Sequence, residues 1–90
     1  MICEDKICFM YIIRNEKSET YIGYTQDLKK RLEHHNSDHK GYTNNGSWEY
    51  VYYEAYKDER DARQREKRLK QHGQTKRRLK ERIQRSITRE

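Results

Sequence analysis

The chain has 90 residues, of which 40% are charged and 31% hydrophobic, with no proline and a formal net charge of +6. So short and polar a chain excludes a large buried core and predicts one small domain over residues 1–90, its core at about 7–84 and a tail at 85–90. No apolar stretch reaches the roughly 20 residues of a membrane-spanning helix, and the opening residues lack the pattern of a secretion signal, so a cytoplasmic protein is expected.

Residues 7–13, ICFMYII, form a continuous apolar run bounded by charge, the pattern of a central strand covered on both faces. RNEKSE supplies a polar turn, and TYIGYT at residues 20–25 is a second β-rich run, which together predict an antiparallel hairpin. Thr25 or Asp27 can cap a helix running from Leu28 to about Asn36. SDHKGYTNNGS then has the Asn, Gly and Ser content of a surface loop. WEYVYYEAY, residues 48–56, is aromatic and β-branched enough for a third strand, and alternation places Tyr50, Tyr52 and Tyr56 on one face and Val51, Tyr53 and Ala55 on the other. Asp58 caps a charged helix from Glu59 to Gln71, and Gly73 ends it. Thr75 caps a last helix in which Leu79, Ile83 and Ile87 recur at four-residue spacing. The class is therefore α+β, a three-stranded antiparallel sheet flanked by three helices in the order β-β-α-β-α-α.

Cys3 and Cys8 followed by His35 and His39 imitate the ligand order of a zinc finger. The gap from Cys8 to His35 is too long for that motif, and Cys8 inside an apolar run reads as a packed thiol in a reducing compartment.

Leu28 and Leu32 define the buried stripe of the first helix, and Arg31 and His35 fall on its flank. In the helix from Glu59, Ala62 and Leu69 mark the inner face and Glu66 projects between them. A carboxylate so placed needs a partner, because an isolated buried charge costs several kcal/mol. Arg31 is one such partner, and magnesium held by one carboxylate, waters and phosphate oxygens is the other. Tyr21 and Gly23 share a strand face, and glycine inside a strand often marks a close approach. Tyr11 can lie beside Tyr21 across the hairpin. The basic stretch after residue 60 reads equally as a solvated helix surface and as a track for backbone phosphates.

Taken in order, FMYIIR, YIGYTQDLKKRLEHHN, GYT and YVYYEAYKDERDARQREKRLK resemble the GIY-YIG nuclease family, and in particular its small stand-alone bacterial members related to the nuclease domain of the excinuclease. Phe9 and Met10 stand where the name motif has Gly-Ile, and NNGSW stands where small relatives often carry a basic, proline-containing stretch. The resemblance implies a DNA endonuclease of repair, recombination or processing that hydrolyses phosphodiester bonds with one Mg2+ or Mn2+ ion. It implies Tyr11, Tyr21, Arg31, His35 and Glu66 as catalytic residues, Gly23 as the motif glycine and Glu66 as the metal ligand. Nucleic-acid contacts are expected from Lys30, Lys40, Tyr42, Thr43, Arg63 and Lys67, with branched or flapped DNA among the substrates and a protein partner for targeting. The general base is left open among Tyr21, Tyr11 and His35. The main alternative is a nucleic-acid-binding module with little or no catalysis.

Overall fold

The computed structural model of the chain describes residues 7–37 and 47–88. Its elements are β1 (Cys8–Arg14), β2 (Thr20–Thr25), α1 (Leu28–Ser37), β3 (Glu49–Tyr56), α2 (Glu59–Gln71), α3 (Gly73–Arg82) and the short α4 (Gln84–Thr88). The strands form one antiparallel sheet in the order β2-β1-β3, so the most apolar strand is central, as its unbroken hydrophobic run requires.

The hairpin between β1 and β2 closes through Asn15. Its Oδ1 accepts from the Lys17 and Glu19 amides at 3.0 and 2.9 Å, and its backbone carbonyl accepts from Ser18 at 3.0 Å. These bonds account for a polar side chain that is only 5% exposed, and they hold Ser18 in a left-handed conformation with φ of 65°.

Alternation along β1 divides the interior into two layers. Met10 and Ile12 point to one face, where they pack with Ile22, Leu69, Leu79 and Ile83 beneath α2 and α3. Tyr11 and Ile13 point to the other, where Trp48, Tyr21, Tyr50, Leu28 and Leu32 gather beneath α1. The four-residue recurrence of Leu79, Ile83 and Ile87 does serve the first layer, although the helix breaks at Ile83.

Asp27 caps α1 by accepting from the Lys30 amide at 3.0 Å, and the Thr25 hydroxyl in turn accepts from the Asp27 amide at 3.1 Å. At the other end Asn36 clamps the start of β3, receiving the Trp48 amide at 2.6 Å and donating to the Trp48 carbonyl at 3.1 Å. Asp58 caps α2 by accepting from the Arg60 amide at 2.8 Å.

Four local expectations are corrected. Gly73 does not end α2 in a left-handed cap. One extended residue, His72, separates two helices, Gly73 opens α3, and Thr75 lies inside it. On β3 the register steps between Ile12, which faces Tyr52, and Ile13, which faces Tyr50. Val51 is the extra residue of this bulge, which turns Tyr50 toward Tyr11 and Ile13 while Tyr52 and Tyr56 stay with the opposite layer. Tyr11 pairs with Gly23 rather than Tyr21, whose partner is Ile13. Cys8, fully buried beside Ala62, is disulfide-bonded rather than a packed thiol.

Candidate active site

The α1 face of the sheet carries a polar cluster inside an aromatic wall. Tyr11, 1% exposed, shares a hydrogen bond of 2.7 Å between its hydroxyl and Nε2 of His35, which is 8% exposed. Tyr50 stands edge-on to Tyr11, ring centroids 5.4 Å apart, and its hydroxyl donates to the Leu28 carbonyl at the start of α1. Tyr21 meets the His35 ring edge-on at 5.2 Å. The imidazole is thus held between two phenols, one from the central strand and one from the edge strand.

Burial pushes the Tyr11 phenol well above its ordinary value. The Arg31 guanidinium pulls it down, while Tyr21, Tyr50 and Glu66 each add to the rise. Tyr50 is pushed up to about 12, again by burial first and against the pull of Arg31.

Glu66, on α2, is linked to this cluster through Lys70. Its side chain is 19% exposed, and Oε2 pairs with the Lys70 ammonium at 3.2 Å. The same ammonium sits 5.1 Å from the centroid of the Tyr21 ring. Lys70, rather than Arg31, is therefore the cation that answers the Glu66 carboxylate. An open groove of about 510 Å³ runs along this side of α2, lined by Glu66, Lys70, Arg63 and Lys67 among others. Arg63 also covers the Tyr24 ring at 5.6 Å and meets Glu59 at 4.0 Å.

Tyr11, Tyr21 and His35 are thus in direct contact, with Gly23 directly behind Tyr11, and Glu66 is linked to Tyr21 through Lys70. Arg31 is exposed on α1, and Lys30 lines a shallow surface hollow with it. Lys40, Tyr42 and Thr43 lie outside the described residues. Sequence reasoning missed Tyr50 and Lys70. The bulge that turns Tyr50 inward leaves no mark in an alternating pattern, whereas the four-residue step from Glu66 to Lys70 was visible as a helical ion-pair spacing.

The site thus brings a hydrogen-bonded Tyr-His pair and a half-buried carboxylate beside a cation-lined groove. Residues 7–83 match the family described as the GIY-YIG catalytic domain, and the chain belongs to that family. No curated protein and no solved structure matches it. Membership implies nuclease-type hydrolysis of phosphodiester bonds, and GIY-YIG nucleases typically use a divalent metal. Among the described residues no helix is long and apolar enough to cross a membrane.

Among the described residues no group of three or more His, Cys, Asp or Glu side chains could enclose an ion. Glu66 is a single carboxylate beside an open groove, a donor set that fits an ion completed by water and substrate phosphate oxygens and does not fit a closed protein cage.

Proposed function

We propose that the chain is a DNA endonuclease in which Glu66 would hold one Mg2+ or Mn2+ ion. The observation that carries this reading is a chain of contacts between separate segments, from Tyr11 to His35, from His35 to Tyr21, and from Tyr21 through Lys70 to Glu66. A bound divalent ion would neutralise the phosphate and the departing oxygen. Arg31, exposed on α1, stabilises charge that builds on the phosphorane-like transition state, an electrostatic contribution of about 3 kcal/mol where such donors have been removed.

Tyr21, as the phenolate, takes the proton of the attacking water in this reading and becomes the neutral phenol. Burial opposes ionisation of Tyr11, which suits it to orienting His35 rather than to accepting a proton. Tyr21 is half-buried at the groove side, with His35 edge-on and the Lys70 ammonium over its ring. Lys70 and a divalent ion would compete for the same Glu66 carboxylate. Arg63, Lys67 and Lys30 follow the DNA backbone in this reading, and the role assigned is in repair, recombination or processing.

Incubating the protein with plasmid, branched and flapped DNA and with RNA of matched length tests this reading. Cleavage of DNA that requires Mg2+ or Mn2+ and stops on chelation is expected; cleavage unaffected by chelation, or of RNA alone, contradicts it. A second reading, a binding module without useful catalysis, draws on the Lys70 ion pair that already answers Glu66. It predicts salt-sensitive binding with no metal-dependent product.

A further inference from the structure

Two large hydrophobic side chains stand exposed among the described residues, Tyr53 at 53% in the middle of β3 and Ile7 at 38% just before β1. Tyr53 is the cross-strand partner of Tyr11 and so occupies the same face, directly beside the polar cluster. Phe9, two residues before Tyr11 on that face, meets the Tyr53 ring edge-on at 5.6 Å. Ala55, opposite Phe9, is exposed and leaves the two rings without a bulky neighbour on that side. Glu54, between Tyr53 and Ala55, points to the opposite layer, where Arg65, Tyr52 and Tyr56 hold it.

We propose that Tyr53 and Phe9 form a stacking platform for an unpaired nucleobase adjacent to the phosphate that is cut. This rests on the hydrolytic reading above and adds the substrate class: DNA with an unpaired nucleotide at the cleavage point. Continuity with the site is the first argument. Cross-strand Cα partners stand roughly 5 Å apart, so Tyr53 is the immediate neighbour in the sheet of Tyr11, whose hydroxyl is bonded to His35. The second is chemistry. The patch offers aromatic ring surface, which every base can stack upon, and Phe9 pairs across the sheet with Thr25, which lines a hollow with Lys30 and Arg31. A net charge of +6 favours a polyanion here over a second copy of the chain. A base stacked inside an intact duplex offers no free face, so the platform discriminates against uninterrupted double helix.

Equilibrium binding in chelator, where no cleavage occurs, tests the platform separately from catalysis. The probes are a fluorescent single-stranded oligonucleotide and the duplex of the same sequence, measured over a range of salt. Tyr53→Ala is expected to weaken single-strand binding by about ten-fold, within the range for loss of one base-aromatic stack, and duplex binding by less than about two-fold. The salt slope should stay unchanged, because no phosphate contact is removed. Tyr53→Trp should restore single-strand binding and quench a 2-aminopurine placed at one position of the strand. Equal losses on both probes, an unchanged single-strand affinity in Tyr53→Ala, or a parent dimer that Tyr53→Ala dissociates would overturn the proposal. If the parent binds and cuts DNA while Tyr53→Ala binds single strands normally, the platform alone fails. If the parent binds no nucleic acid, the hydrolytic reading fails with it.

Discussion

Gly23 stands directly against the tip of Tyr11. A Cβ at position 23 would lie 2.5 Å from the Tyr11 hydroxyl oxygen and 2.7 Å from the ring carbon that bears it. The contact is dictated by register, since the two residues are cross-strand partners on the α1 face. Tyr11 cannot yield freely, because its hydroxyl is bonded to His35 and Tyr50 abuts its ring.

Gly23→Ala should therefore destabilise the fold by about 1–3 kcal/mol, the usual range for overpacking a filled interior. It should also break the Tyr11–His35 hydrogen bond, lowering cleavage more than stability. Thermal unfolding together with the His35 ring signals in NMR checks both parts.

Tyr11→Phe keeps the ring and deletes the hydroxyl. His35 Nε2, buried in an aromatic wall, then loses this partner, and the expected loss of stability is about 1–3 kcal/mol. The double variant with His35→Phe should recover part of that loss without recovering cleavage. Chemical denaturation of the two single variants and the double variant measures the coupling.

Alkaline pH should expose the cost of burying phenols. Tyr50 and Tyr56 are pushed up to about 12 in the folded chain, in each case chiefly by burial, against an ordinary value near 10. A raised folded value contributes stability that is complete below pH about 10 and is lost as pH rises toward about 12. Phenolate absorbance and helical circular dichroism followed together should show a first set of tyrosines ionising with structure intact, then the rest ionising as it melts. A single ionisation step near 10 with the helices unchanged would contradict this.

Lys70→Met removes the cation that pairs with Glu66. The partly exposed pair at helical spacing contributes about 0.3–0.5 kcal/mol, so unfolding should scarcely change. Mn2+ affinity, read from paramagnetic broadening of resonances around Glu66, should tighten on the order of ten-fold as like-charge repulsion is relieved. Weaker Mn2+ binding in this variant would show that Lys70 supports the ion rather than competing with it.

Much of this arrangement was readable from residue order alone, for identifiable reasons. TYIGYT and the helix from Glu59 to Gln71 have the predicted bounds, because each is bracketed by residues that fix its ends: the Asn15 turn before β2, Thr25 and Asp27 after it, and Asp58 before α2. Arg31 and His35 on the flank of the Leu28 and Leu32 stripe follow from helical spacing. What escaped depends on contacts between distant segments. The bulge at Val51 answers to the partner strand, and the break at His72 answers to α3 and α4 folding back so that Leu79 and Ile83 reach Met10 and Ile12. The pairing of Glu66 with Lys70 instead of Arg31 was a choice between two available cations, settled by helical adjacency.

The central claim, that Glu66 and the groups gathered on Tyr11 make one hydrolytic site, is tested most directly by the single-turnover cleavage rate of Glu66→Gln against the parent, with DNA affinity measured in parallel without metal. The account predicts a rate lower by at least about 100-fold, the scale for removing one key electrostatic group, with affinity within about three-fold of the parent. An undiminished rate in Glu66→Gln would contradict it.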